Sequence, residues 1–143
     1  MAPWRPIATN ERRQDVAAAI SDELRRFLLT GTLSVPHVEA ILQLRRQAPD
    51  AWDAERLAAR IYVPTGRARD LLADLLAIGV IRAQREGDDS YVYSPRTTEL
   101  ATLLDQLAKA YTEQLVSVAQ LIHTAAERKA QEFAAAFRFR KDT

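Results

Sequence analysis

Apolar residues recur at three- and four-residue spacing through most of this chain, the period of an amphipathic helix. The first stripe is Val16, Ile20, Leu24, Phe27 and Leu28. It predicts a helix that starts near Asn10, a good N-cap, with Glu11 in its first turn and a stop at Thr30-Gly31-Thr32. The segment before it, Met1 to Ala8, carries two prolines and is expected to be extended. A second helix starts after Ser34, with Pro36 in its first turn and Val38, Ile41, Leu42 and Leu44 inward. Asp53 caps a short third helix running to Ile61, with Leu57, Ala58 and Ile61 inward. Pro64 pushes Val63 out of helical geometry, and Thr65 is placed as the cap of a fourth helix carrying Leu71, Leu72, Leu75 and Leu76 inward, which Gly79 ends.

At Val80 the period shortens. Val80 to Gln84 and Ser90 to Ser94 alternate as strands, and Arg85-Glu86-Gly87-Asp88-Asp89 between them suits a hairpin tip. Tyr91 and Tyr93 share one face of the second strand, Val92 takes the other, and Pro95 closes it. Thr97 or Thr98 then caps a long helix whose stripe is Leu100, Leu103, Leu107, Tyr111, Leu115, Val118 and Ile122. Thr124 and Glu127 have capping-box spacing, which predicts a break near His123 and a separate last helix presenting Phe133 and Phe137. The fold class is therefore mainly α: a helix-turn-helix with a small two-stranded β-wing, flanked by an N-terminal helix and long C-terminal helices.

The stretch "LAARIYVPTGRARDLLADLLAIGVI", Leu57 to Ile81, and the following "RAQREGDDSYVYSP" carry a resemblance. An Ala-rich positioning helix, a turn, a helix with a Leu pair before Gly and an apolar strand make this chain similar to the winged helix-turn-helix fold over roughly Ser34 to Pro95. The extra helix before that domain and the long helices after it resemble the MarR class of bacterial regulators, with the PadR class as second choice. The C-terminal "AFRFRK" also resembles the ending of small bacterial winged-helix proteins. The resemblance implies a DNA-binding transcriptional regulator whose terminal helices interlock with those of a second subunit. Winged helices also serve as protein-docking modules, so a protein partner in place of DNA is the alternative. The implied division is an N-terminal extension and helix over 1–33, the winged domain over 34–95, and dimerisation helices with a basic tail over 96–143.

Charge sharpens the question of what the fourth helix does. The chain has 143 residues and a net charge of +1, with 20 basic and 19 acidic side chains, so it has no global attraction to a polyanion. If the fourth helix enters the major groove, Thr65, Arg67 and Arg69 face DNA, Arg pairing with guanine and Thr65 serving a phosphate. Asp70 and Asp74 on the same helix oppose that, unless nearby Arg residues pair with them. In the hairpin, Arg82 and Arg85 can reach DNA, but Glu86, Asp88 and Asp89 make the segment net −1. From Glu127 onward the balance is +2, which suits either a frayed basic helix end or a contact with DNA, a membrane surface or an acidic partner.

The remaining composition excludes classes. With no cysteine there is no disulfide, thiolate catalysis or Cys-bound zinc. His37 and His123 lie far apart, outside any metal-ligand pattern, and His123 reads as a capping or core residue. No nucleophile elbow, phosphate loop or acid–base carboxylate pair is present, so no enzyme, metal or cofactor is expected. Trp4 and Trp52 read as surface anchors or the edge of a core. Without a signal-like start or a membrane-length apolar run, a soluble cytoplasmic protein is expected. A helix of some 25 residues overhangs so small a domain at about 1.5 Å per residue. Its stripe, with that of the first helix, predicts a homodimer through Ile20, Leu24, Phe27, Leu107, Tyr111, Leu115, Val118 and Ile122.

Overall fold

The structure, a computed structural model, describes residues 20–141. The expected extended start, the helix start at Asn10 and the reading of Trp4 lie outside the described residues. The elements are α1 (Asp22–Leu29), α2 (Val35–Arg46), α3 (Ala54–Ile61), α4 (Thr65–Ile78), β1 (Ile81–Ala83), β2 (Tyr91–Tyr93), α5 (Thr98–Glu113) and α6 (Leu115–Lys141). The mainly helical fold with a β-hairpin wing is as the apolar pattern predicts. The chain divides into two compact units, one Leu33–Leu104 and the other made of the flanking stretches Met1–Thr32 and Asp105–Thr143.

Local caps set the start of most helices in the Leu33–Leu104 unit. The Ser34 side chain accepts from the His37 backbone while the His37 ring accepts from the Ser34 backbone, closing a capping box on α2. Asp53 accepts from Arg56 N at 2.7 Å and caps α3. Thr97 Oγ1 accepts from Leu100 N at 3.0 Å and caps α5. Gly79 ends α4 at φ +94°, a left-handed conformation that a Cβ opposes, with its N–H returned to Leu75 and Leu76 carbonyls. A Cβ there would stand 3.2 Å from Cβ of Arg96.

In this unit α2, α3 and α4 bury Val38, Ile41, Leu44, Leu57, Leu71 and Leu75 completely, with Val80 beneath the hairpin. The strands pair antiparallel with Arg82 opposite Val92. Val92 is buried and Tyr91 and Tyr93 are half-buried, as the alternation predicts. Trp52 is a full core residue, not an edge anchor, and it extends the hairpin: its N–H and C=O both bond Tyr91, each at 2.8 Å. On α2 the apolar face is turned slightly from the expected one, so Gln43 is buried and Leu42 only half-buried. On α4, Leu76 points outward because it lies about 100° round from the Ala68–Leu71–Leu72–Leu75 stripe.

In the other unit α1 packs on α6, and Leu24 and Leu28 of α1 are fully buried. The first helix does not run unbroken from Asn10. Ser21 is extended, accepts from Leu24 N, and starts α1 at Asp22. Its hydroxyl also donates to Gln106 Oε1 at 2.7 Å, a contact that no local spacing encodes. Gly31 follows the end of α1 at φ +73°, with the alkyl chain of Lys129 against it and Lys129 Nζ donating to its carbonyl.

The break expected at His123-Thr124 is absent, because α6 runs through both residues. Thr124 and Glu127 allow a cap, but nothing there removes a helical hydrogen bond. Ala125 and Ala126 favour helix, and Ile122 and Ala125 are both buried by staying on it. The chain leaves regular helix instead at Gln114, between α5 and α6, where the bonds Gln114 N–H to Ala110 and Val118 N–H to Gln114 keep the four-residue ladder on either side. His123 is exposed, so it neither caps nor fills a core.

Candidate nucleic-acid interface

The turn between α3 and α4 is made by Tyr62, Val63 and Pro64. Tyr62 closes α3 in the left-handed conformation, φ 60° and ψ 49°, with its N–H on Ala58 O. Glycine is the usual residue for such a position. Tyr62 occupies it with its ring 93% exposed, so packing does not hold the ring there. Pro64, not Thr65, is the N-cap of α4, and no side chain bonds the free amides of the first turn. Thr65 is the first residue inside the helix, where its hydroxyl is exposed beside those amides. Gly66 stands next to it with no atom within 4 Å of where a Cβ would be, so the backbone is open to close approach.

Thr65, Gly66, Arg67, Arg69 and Asp70 are all exposed. Arg67 and Arg69 make no hydrogen bond or ion pair with the described residues. Arg69 helps line a concavity of about 450 Å³ between α3, α4 and the hairpin, where Asp53, Glu55 and Asp89 are its acidic neighbours. In the wing, Arg82 and Arg85 are exposed, and so are Glu86, Asp88 and Asp89 around Gly87 (φ +86°). Arg82 bends back to the Ala83 carbonyl through a 3.5 Å contact, while Arg85 is without a side-chain partner among the described residues.

Asp74 does not pair with an arginine. Its Oδ2 lies 2.8 Å from Nε2 of His37, a residue 37 positions earlier. The Ser34 backbone N–H donates to Nδ1 of the same ring at 2.9 Å. Nδ1 is thus an acceptor, so a neutral ring carries its proton on Nε2 and donates it to the carboxylate. The buried imidazole joins the α2 cap to the middle of α4, so one of the two acids on this helix serves the fold. The expectation of Arg pairing missed this, since sequence spacing cannot bring residues 37 and 74 together.

The residues expected at a dimer contact divide into two sets. Ile20, Leu24, Leu107, Val118 and Ile122 are buried within the single chain, and Phe27 and Tyr111 are half-buried. Leu115 is 50% exposed, and it is joined on α6 by exposed Val116, Phe133 and Phe137. Leu115 and Phe133 are 18 residues apart, five turns of about 3.6, and so lie on one face. The aromatic and basic side chains of the "FRFRK" ending beyond Arg138 lie outside the described side chains.

Among the described residues no His, Cys, Asp or Glu group is placed to hold a metal ion, and no helix is long and apolar enough to cross a membrane. No model of a known protein family matches the chain, and no curated protein matches it either.

Proposed function

We propose that the protein is a dimeric, cytoplasmic DNA-binding regulator that reads the major groove with the first half of α4. The observation that carries this reading is the open start of α4. Uncapped first-turn amides, an exposed Thr65 hydroxyl, a bare Gly66 and two unpaired guanidiniums, Arg67 and Arg69, stand together there. Free helix-start amides suit a phosphate, and Arg suits the guanine edge. A helix-turn-helix docks with these same N-terminal residues against the bases. The apolar side chains left on α6 supply the second subunit's contact, which gives two reading helices and a pseudo-palindromic site. A specific feature favours the second reading, protein docking: the exposed acidic tip Glu86, Asp88 and Asp89.

The test is selection of sites from random duplex DNA, then binding at two salt concentrations for wild type, Arg69→Ala and Asp70→Lys. Two phosphates neutralised per subunit give a log–log salt slope of roughly −4 for the dimer, shallow for a regulator. Arg69→Ala should cost roughly 1–3 kcal/mol and relax one base position. Asp70→Lys should strengthen binding to all sequences alike. If no selected duplex binds wild type at low salt, protein docking replaces this reading.

A further inference from the structure

The helix α6 carries two apolar stripes. One, with Val118, Ile122 and Ala125, is buried within its own unit. The other is Leu115, Ala119, Ala126, Ala130, Phe133 and Phe137. Leu115, Ala126 and Phe137 stand 11 residues apart, about three turns, and Ala119, Ala126 and Phe133 stand seven apart, about two, so these side chains share one face. That face is open. Phe133 is 74% exposed and Phe137 61%, and from Ala126 to Arg138 every residue is exposed. A free helical end of this length is marginal in water without a packed face, and its two phenylalanines have nothing to pack on in their own chain. Resting on the dimer of the proposed function, we infer that this stripe docks on the same stripe of a second copy, antiparallel, with the two-fold axis at Ala126.

The stripe is its own complement in size. About an axis at Ala126, Phe133 falls opposite the partner's Ala119 and Phe137 opposite the partner's Leu115. Ala130 falls opposite the partner's Ile122, which is 4% exposed and so presents little relief. Val116, exposed at the edge of the stripe, falls beside the partner's Ala134. At the axis itself only the two Ala126 methyl groups lie between the backbones. Large side chains therefore meet small ones, and the helices can close on each other along roughly 33 Å, at about 1.5 Å per residue from Leu115 to Phe137. Parallel pairing sets Phe133 and Phe137 on their own copies at one end and Ala119 on its copy nearer the other. The aromatics then hold the helices apart and leave the alanines without contact. Charge agrees with size. Antiparallel packing brings Glu113, at the end of α5, alongside the partner's Arg138, both exposed, whereas parallel packing sets each on its own copy. Near the axis Glu127 neighbours its own copy, with the partner's His123 on its other side. Such an isologous contact closes at two subunits and leaves no stripe free to add a third.

The chain has no cysteine, so a single introduced thiol reports its own position. Full-length Ala126→Cys, treated with oxidised glutathione, should become a disulfide-linked dimer, because copies at the axis come within the roughly 4.4–6.8 Å between Cα atoms that a disulfide spans. Phe137→Cys alone should not link above the level of an off-stripe control, Gln131→Cys, because its two copies stand roughly 33 Å apart. Mixed with Leu115→Cys it should link. Ala119→Phe crowds the partner's Phe133 and should weaken the dimer about tenfold or more in a light-scattering dilution series, and Phe133→Ala added to the same chain should restore it. Circular dichroism checks that both variants are folded, and if Ala119→Phe is not, the cross-links decide alone. Self-linking of Phe137→Cys overturns the antiparallel contact. So does failure of Ala126→Cys to link, a size swap that restores nothing in folded chains, or a monomeric wild type. DNA enters none of these measurements, so a protein that links as expected but binds no duplex loses the α4 reading and keeps this contact.

Discussion

Tyr62→Gly should make the protein more stable although it deletes an aromatic ring. A non-glycine residue in the left-handed region carries about 1–2 kcal/mol of strain, which glycine relieves. The ring offsets little of this by packing, since it is 93% exposed. Against the gain stands glycine's greater freedom in the unfolded chain, roughly 0.5–1 kcal/mol. The net expectation is stabilisation of about 0.5–1 kcal/mol. Tyr62→Ala separates backbone from side chain, because it removes the ring and keeps the strain, and it should change stability by less than about 0.5 kcal/mol. Urea unfolding followed by Trp52 fluorescence in the Trp4→Phe background reads the unit that holds the turn. The midpoint should rise for Gly at unchanged slope and stay in place for Ala. A lower midpoint for Gly, or an equal rise for Ala, would refute the assignment of the gain to left-handed strain. The same two proteins report on function. Strain persists where something other than stability holds it, and under the proposed function the exposed ring between α3 and α4 would touch the DNA backbone. On that reasoning Gly and Ala weaken binding to a selected duplex by the same factor while differing in stability.

The remaining predictions use other contacts. Nitrogen shifts of His37 should report an unprotonated Nδ1 and an Nε2–H in the neutral ring, and Asp74→Ala should cost about 1 kcal/mol in urea unfolding by removing the acceptor of that proton. Gly79→Ala should cost more than about 1 kcal/mol, because the new Cβ meets both a left-handed backbone and the Arg96 side chain, and a neutral result would place the α4 stop elsewhere. Phe133→Asp with Phe137→Asp should yield a folded monomer by light scattering while Leu107→Asp unfolds the chain, since only the last of these side chains is buried within one subunit. A wild type that is monomeric at high concentration removes the dimer from the proposed function.

Helix starts and stops were legible because their causes are local. Ser34, Asp53 and Thr97 cap from within three residues, and Gly79 supplies its own left-handed turn. The hairpin followed from the change of period at Val80 and from the turn residues around Gly87. What misled was treating a permissive signal as a decisive one. A threonine with a glutamate three residues on can start a helix, but it does not stop the one already running through Ala125. The site was less legible than the fold for a related reason. The exposed first half of α4 followed from helical phase, so Thr65, Arg67 and Arg69 lie where expected. The His37–Asp74 pair, the burial of Gln43 and the exposed strain at Tyr62 arise from tertiary approach or backbone conformation, and neither leaves a periodic trace.

The zero net charge of α4 conceals an order along its axis that bears on how it would meet a polyanion. The two arginines come within its first five residues and Asp74 in its tenth, with Asp70 between. The partial positive charge of the helix start adds to the arginines, and the free amides of an uncapped turn add directed donors. Asp74 already has one oxygen accepting from a buried imidazole, but that ring is neutral and the half-exposed carboxylate keeps its charge. A duplex approached end-on meets the basic half first, and one lying along the whole helix meets both halves. If α4 reads DNA as proposed, the charge order would favour a pose in which the α4 start enters the groove and its C-terminal half tilts away. That pose would bring the Tyr62 turn close to the backbone and leave the acidic hairpin tip at the margin. Under the proposed function, this order would let a helix with no net charge be specific: the arginines would meet the base edges at the point of entry, while the acids would discourage any docking that buries the rest of the face.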